Sequence, residues 1–371
     1  MATGPGTGAM TLGVRSRVRT SRDRGPGAGR HVFGRTGPGQ GDLAEAEYLL
    51  PLRWTDDAQL PELTAYLHRL VRWISVTVVD GSPDELFDAH RAAWPRQVRQ
   101  LRPEGWPGAN GKVAGVMTGV RRAEHDLLVI ADDDVRYDLR ELTELVGLLA
   151  DHDLVRPQNY YSSLPWFARW DTARTLLNRA FDADFPGTLG IRRATLVQAG
   201  GYSGNVLFEN LELIRTIRAA GGREHVALGL FVARVPPTGP HFLGQRVRQA
   251  YDDFAQPGRL ALELSLLPII MWSSRRPTRA LRLLATVCAL AELGRRRAGG
   301  TAVFPASSAA WAPLWVLERA VCVWLALGYR RRGVPYAGGR LRSAATPHRL
   351  LRRKLDPHRQ RRLRSELEAV A

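Results

Sequence analysis

Asp132, Asp133 and Asp134 are three consecutive acids that directly follow the apolar run Leu127-Leu128-Val129-Ile130-Ala131. Carboxylates this close repel one another and cost stability unless a cation shares their site. Oxygen donors of this kind suit a hard divalent ion, Mn2+ or Mg2+, which also binds phosphate oxygens. The run before them reads as a central strand, so the acids sit at the rim of a sheet. If extended geometry continues past Ala131, Asp132 and Asp134 face the same side. One could then reach a nucleotide and the other a metal. The plainer alternative is a solvated turn or a helix cap built of Asp. Two other D-x-D pairs, Asp151/Asp153 and Asp182/Asp184, lack such a strand and read as surface or cap residues.

Rival phosphate chemistries fit the spacing poorly. A P-loop needs G-x-x-x-x-G-K-[ST] upstream of the strand, but Gly111-Lys112 is followed by Val113 and the earlier glycines are misplaced. A phosphatase of the haloacid-dehalogenase type wants Thr or Val two places after its second Asp, where this chain has Arg136.

The elements that must position the acids alternate. Tyr48, Leu49, Leu50 and Leu52 make a buried-type strand, and Leu60, Leu63, Leu67, Leu70 and Val71 fall at helical spacing. The β-branched run 74–79 stops at Asp80-Gly81-Ser82-Pro83, where a turn opens a helix through Leu86 and Phe87. A weaker strand at 97–101 precedes a Gly/Pro-rich loop and a helix over 113–122; residues 139–149 are helical again. Such alternation implies an α/β fold, a parallel sheet covered on both faces. Ligands then sit beyond the carboxyl ends of the strands, and two strands end in acids: Val79 in Asp80, and Ala131 in Asp132.

The chain has 371 residues, room for one large domain with additions or for two domains. Its 44% hydrophobic and 24% charged composition excludes disorder throughout. Lys and Arg number 53 against 36 Asp and Glu, a net charge of +17, and only Lys112 and Lys354 are lysines. The basic excess gathers before Gly41 and after Arg275 rather than with aromatics around a catalytic groove. That placement suits an anionic membrane surface and speaks against nucleic acid. Residues 1–42 read as a disordered basic tail, 43–257 as the catalytic domain, 258–335 as an apolar helical region and 336–371 as a basic C-terminal tail. The apolar stretches at 260–272 and 281–293 fall short of the ~20 residues of a spanning helix. The third, 302–327, is long enough but holds Pro305, Pro313, Glu318 and Arg319. Helices lying in the membrane interface fit these segments; the alternative is a helical subdomain packed on the sheet. Cys288 and Cys322 are too few for a disulfide framework or zinc site, and read as buried thiols of a reducing compartment. The N-terminus shows no apolar signal core. The expected location is the cytoplasmic face of the cell membrane, or the cytoplasm if the apolar region packs internally.

Over residues 48–257 the order of motifs resembles the family 2 glycosyltransferases, which have the GT-A fold. The pieces are a first strand ending near Pro51, Val78-Val79-Asp80-Gly81-Ser82, Asn110-Gly111-Lys112 before a helix, and Asp132-Asp133-Asp134. After them come residues 187–193, Gly200-Gly201-Tyr202, Phe208-Glu209-Asn210-Leu211-Glu212-Leu213, and Gln245-Arg246-Val247-Arg248-Gln249. Each alone is weak, but their shared order is specific. The resemblance implies a Rossmann-like, mostly parallel sheet with flanking helices. It also implies inverting, metal-dependent transfer of a sugar from a nucleotide-diphosphate donor to an acceptor hydroxyl, on a lipid, a glycan or another small molecule. By the same resemblance Asp80 bonds the nucleotide base, Lys112 lies near the donor, Asp132 meets the ribose, and Asp134, with Asp132, holds the metal. Gln245 and Arg248 match the first four places of Q-x-x-R-W, over the donor diphosphate and acceptor channel. Two places depart from the family pattern. Asn210 stands where the family usually has the catalytic Asp, and an amide cannot accept a proton at useful pH; Glu209 is the favoured base, with Glu212 the alternative. Gln249 stands where the motif has Trp, which leaves the acceptor class open. Two other readings remain: a catalytically impaired sugar-nucleotide-binding protein on the same fold, and a nucleotidyltransferase that releases pyrophosphate.

Overall fold

A computed structural model describes residues 40–336 and 339–355; nearly all of the basic segment expected before Leu43, and the part of the expected C-terminal tail past Leu355, lie outside the described residues, whereas 339–355 of that tail form a strand and a helix. The first half alternates as the periodicities predict: β1 (Ala46–Leu52), α1 (Leu60–Leu70), β2 (Ser75–Asp80), α2 (Asp84–Ala93), β3 (Val98–Leu101), α3 (Gly111–Arg122) and β4 (Leu127–Ala131). Then follow β5 (Val135–Arg136), α4 (Leu139–Leu148), β6 (Leu154–Tyr161), α5 (Trp166–Phe181), β7 (Thr188–Arg192), α6 (Arg193–Gln198), α7 (Glu209–Ala219) and β8 (Glu224–Arg234). Local chemistry starts the helices. The Asn110 side chain accepts from the backbone N–H of Lys112 at 3.1 Å, which caps α3. Asp138 and Glu141 form a capping box on α4.

The eight strands form one sheet in the order β3-β2-β1-β4-β7-β6-β8-β5. The first four run parallel. β7 then enters antiparallel to both β4 and β6, and β5 lies antiparallel to β8. The sheet is thus mostly parallel with antiparallel insertions, the GT-A-type arrangement. Alternate residues of each strand feed opposite faces. Tyr48 and Leu50 join Leu63, Tyr66 and Leu67 of α1 in one core. Leu49, Leu128 and Ile130 join Val113 and Val116 of α3 and Leu213 and Ile217 of α7 in the other. The strand order reverses between β1 and β4, which makes the crevice beyond their carboxyl ends the natural ligand site.

After β8 come α8 (Gly239–Gly244), α9 (Arg246–Tyr251), α10 (Pro257–Ser274), α11 (Pro277–Arg296) and α12 (Ala312–Tyr329). A short hairpin, β9 (Val334–Tyr336) and β10 (Gly339–Leu341), precedes α13 (His348–Leu355). α11 packs along α5, and α12 packs against α9 and α10. The α5–α11 approach needs glycine: a Cβ on Gly294 would stand 1.9 Å from the Leu176 carbonyl oxygen. Among the described residues one segment, Ala306–Tyr329, is long and apolar enough to cross a membrane, with 44% of its window buried in the protein. Its charges turn inwards. Arg319 is 1% exposed and donates to Asp253 at 2.9 Å, and Glu318 lies 3.6 Å from Arg246.

Candidate active site

The three acids leave β4 in a turn, closed by Val135 N–H donating to the Asp132 carbonyl at 3.1 Å, rather than in continued extension. The turn still divides them by parity. Asp134 and Asp132 both turn towards Arg234, at 2.6 and 3.9 Å from its Nη2. Asp133 instead accepts from the indole Nε1 of Trp54, just beyond β1, at 2.5 Å. Gly187 lets these groups approach, because a Cβ there would stand 2.9 Å from Asp132 Oδ2 and 3.1 Å from Arg234 Cζ. Its own N–H is anchored on the Asn159 side chain at 2.7 Å.

Lys112, on the first turn of α3, joins two of the expected residues. Its Nζ lies 2.5 Å from Asp132 Oδ1 and 2.7 Å from Glu209 Oε1. Burial opposes its charge, but Asp132 and Glu209 together hold the ammonium above the ordinary lysine value. For Glu209 burial pushes upward, and the Lys112 charge more than offsets it, so the carboxyl sits below its usual range. Glu209 opens α7, with Oε2 3.5 Å from Asn110 Nδ2. Arg248 stands over the Tyr336 ring at 5.0 Å and draws the Glu209 pKa down further.

Other expected residues are placed differently. Asp80 is fully buried at the end of β2. Its Oδ1 accepts from Ser82 N–H at 2.9 Å, and its Oδ2 meets His90 Nδ1 at 2.6 Å and Gln100 Nε2 at 3.0 Å. Burial raises its pKa, yet His90 and Ser82 hold it below the ordinary value. Its acceptor capacity is thus largely spent inside the protein, and the polar chain continues outward through His90 Nε2 to Asp57 at 3.0 Å. Glu212 is fully buried and accepts from Thr346 N–H at 2.6 Å; no contact joins it to Lys112 or Asp132 among the described residues. Asn210 donates to the Pro186 carbonyl at 3.0 Å, a loop-fixing contact. Gln245 ends α8 beside His241, its Nε2 3.4 Å from the imidazole Nε2.

Two clefts meet at Asp134 and His241. One, of about 510 Å³, runs from Arg53, Trp54 and Asp56 to Asp133 and Asp134. The other, of about 130 Å³, is bordered by Arg234, Gln245, Arg246 and Gln249. The first falls within the ~300–1,000 Å³ typical of small-molecule sites. Behind the second lies a buried network: Asp171 receives Tyr161 at 2.9 Å and Arg246 at 3.2 Å, and Arg174 bridges it to Asp184 at 2.7 Å. Asp184, expected at the surface, is 4% exposed because Arg174, Thr175 and Asn178 converge on it. Arg234, Trp54 and His241 were missed in the sequence. Their nearness to the acids comes from strand register and chain reversal, which no local pattern carries.

Among the described residues no three His, Cys, Asp or Glu side chains converge as a ready-made metal cage. Asp132 and Asp134 do supply oxygen donors on one side of the turn. A divalent ion that keeps water and takes one or two carboxylates together with substrate phosphates fits that set.

A family model described as glycosyltransferase-like family 2 matches residues 60–251, just over half of the chain. No curated protein matches. Among solved structures, a mannosyltransferase from Pyrobaculum calidifontis, in complex with GDP-Man and Mn2+, is 17% identical over 78% of this chain and 90% of its own, with a TM-score of 0.47. GalNAc-T7 with UDP, GalNAc and Mn2+ is 14% identical over 53% and 45%, with a TM-score of 0.39. Glucosyl-3-phosphoglycerate synthase from Mycobacterium tuberculosis, with Mn2+, UDP and phosphoglyceric acid, is 18% identical over 57% and 80%, with a TM-score of 0.37.

Proposed function

This chain belongs to the glycosyltransferase-like family 2 and is a transferase, and from that premise we propose that it moves a sugar from a nucleotide-diphosphate donor to an acceptor hydroxyl with inversion. The observation that carries this reading is the ion-pair chain Glu209–Lys112–Asp132–Arg234–Asp134, whose Asp134 end borders a cleft of about 510 Å³ beyond the carboxyl ends of β1 and β4. The donor lies along that cleft. Lys112 is charged there and within reach of Asp132, so it can turn to a phosphate oxygen. Gln245 borders the smaller cleft on the acceptor side, and Arg248, over the Tyr336 ring, adds its charge near Glu209.

Asp134 and Asp132 would hold Mn2+ or Mg2+, which would supply positive charge against the departing nucleoside diphosphate. Glu209 takes the proton of the acceptor hydroxyl. Its Oε1 is held by Lys112 at 2.7 Å, whereas Oε2 lies at the longer distance of 3.5 Å from Asn110 Nδ2. A carboxyl below its usual range is ionised at neutral pH and so free to accept. Glu209→Gln lowers transfer by about 10²–10⁴-fold and leaves donor binding in place. Asp134→Ala removes transfer together with the metal dependence of donor binding, measured by donor hydrolysis and calorimetry. Full activity of Asp134→Ala would sink the metal assignment. Donor binding without turnover by the unaltered protein would favour the binding-protein reading, and pyrophosphate release the nucleotidyltransferase.

The acceptor reading is a lipid or lipid-linked molecule at the cytoplasmic face of a membrane. It is supported by the outer face of α10–α12, where Leu262, Met271, Trp272, Leu281, Leu317 and Leu325 are exposed. Arg279 stacks on Trp272 at 4.0 Å, and Arg275, Arg276 and Arg282 are exposed beside them. Apolar side chains rimmed by arginine match an anionic bilayer surface. The protein should co-sediment with anionic vesicles and not with neutral ones; equal failure with both removes this part.

A further inference from the structure

Arg234 owes its place to the backbone. It ends β8, pairs with Val135 across the β5–β8 register, and is followed by Val235, whose N–H donates to the Asp134 carbonyl at 2.8 Å. Its side chain therefore has Asp134 as a fixed neighbour. Nε lies 3.0 Å from both carboxylate oxygens and Nη2 lies 2.6 Å from Oδ2, so one guanidinium engages the whole coordinating face of Asp134. The pair is only about a quarter exposed, at 23% and 24%. A fork of this kind is a strong, charge-assisted contact that competes with any other cation for the same oxygens.

We infer that Arg234 is the resident counter-ion of the metal position: it holds Asp134 in the donor-free protein and yields it to a divalent ion when a nucleotide diphosphate arrives to take the guanidinium. The inference rests on the reading of Asp134 as metal-bearing. Three features support it. Lys112 cannot do this work, since it is shared between Asp132 and Glu209. Two carboxylates alone make a weak site for a bare ion, which needs phosphate oxygens to complete its shell. Arg234 borders the smaller cleft where it meets the donor cleft at Asp134 and His241, so its guanidinium can turn to a diphosphate at that junction without leaving the site. Metal and nucleotide then help each other to bind, and by linkage the help is mutual.

The test measures Mn2+ binding without nucleotide, by the electron paramagnetic resonance of free Mn2+, and binding of UDP and of GDP with chelator present. Unaltered protein should bind Mn2+ weakly alone and more tightly with the nucleotide. Arg234→Gln should bind Mn2+ alone on the order of ten-fold tighter, and nucleotide in chelator more weakly, so that the mutual enhancement shrinks from a typical 5–150-fold range towards none. Arg234→Lys keeps one charge without the fork and should fall between; it also carries the test if the glutamine variant melts early. Unchanged or weaker Mn2+ binding in both variants overturns the inference while leaving the metal reading intact. Absence of Mn2+ binding in every form, with or without nucleotide, overturns the metal reading and this inference with it.

Discussion

The molecule gathers acids in two places and treats them in opposite ways. At the sheet rim, Asp132, Asp134 and Glu209 meet Lys112 and Arg234 beside open clefts. Under the helical layer, Asp253 and Glu263 meet Arg259 and Arg319 in closed packing, with Asp252 nearby. Arg259 lies 2.8 Å from Asp253 and 2.9 Å from Glu263, and Arg319 lies 2.9 Å from Asp253. Rim and base use the same side chains, so the difference lies in access. In the helical layer burial dominates and pushes the Asp252 and Glu263 carboxyls each up to about 8. At the rim the outcome divides: burial raises the Asp132 carboxyl, whereas at Glu209 the Lys112 charge prevails and the carboxyl sits below its usual range. Charge that must be available for chemistry is kept exchangeable, whereas charge that joins two layers is locked away.

The largest effect that separates the two regions is on stability. Arg319→Met takes one of two cations from the buried Asp253 and leaves Arg259 alone against it, and breaking a buried pair of this kind costs about 3 kcal/mol. The rim counterpart, Arg234→Gln, should cost only about 1 kcal/mol, because its acid faces a cleft where water can replace the guanidinium. Urea unfolding of both variants reads the contrast directly. Equal losses would mean that the rim is as structural as the base, and would break the comparison.

Much of the sheet was legible in the sequence because its signals are local. The run 127–131 and the spacing of Leu63, Leu67 and Leu70 each demand one period, and the structure uses both. The same holds for the helix that follows Asn110-Gly111-Lys112 and for the shared side of Asp132 and Asp134. What was illegible depends on distant register. Nothing near Arg234 announces that β8 returns beside β5, and nothing near Trp54 announces that its indole reaches Asp133. Asp80 shows a second limit. Its position after a strand is local, but the inward turn of its carboxylate depends on His90 ten residues later in α2. The insertion of β7 antiparallel to β4 and β6 is likewise a tertiary choice, made by a strand whose composition fits either direction. The segments after Pro257 read as apolar stretches, the third interrupted by Glu318 and Arg319. Their division into a packed face and an outer one appears only once Glu318 and Arg319 find Arg246 and Asp253.

A smaller effect sharpens the same contrast, through pH. Asp252 and Glu263 hold their protons to about pH 8 in the folded protein, whereas free carboxyls release them near ~4. Between those values the folded chain binds more protons than the unfolded chain, so stability falls as pH rises. The contribution is complete below about pH 4 and gone above about pH 8. Glu209 behaves in the opposite sense. Its depressed value adds stability above the ordinary carboxyl range, and that share is lost only as acid protonates it. The acids of this cluster interact, so the loss from about pH 5 to about pH 8 should be on the order of 2 kcal/mol rather than the sum for two independent groups. Glu263→Gln keeps the shape of the side chain without a titrating proton and should flatten that slope, read as the difference between its urea midpoints and those of the unaltered protein. An unchanged slope would place the excess proton elsewhere. The helical layer would then be a balanced ion cluster like the rim, and access alone could no longer explain why the two acid sites differ.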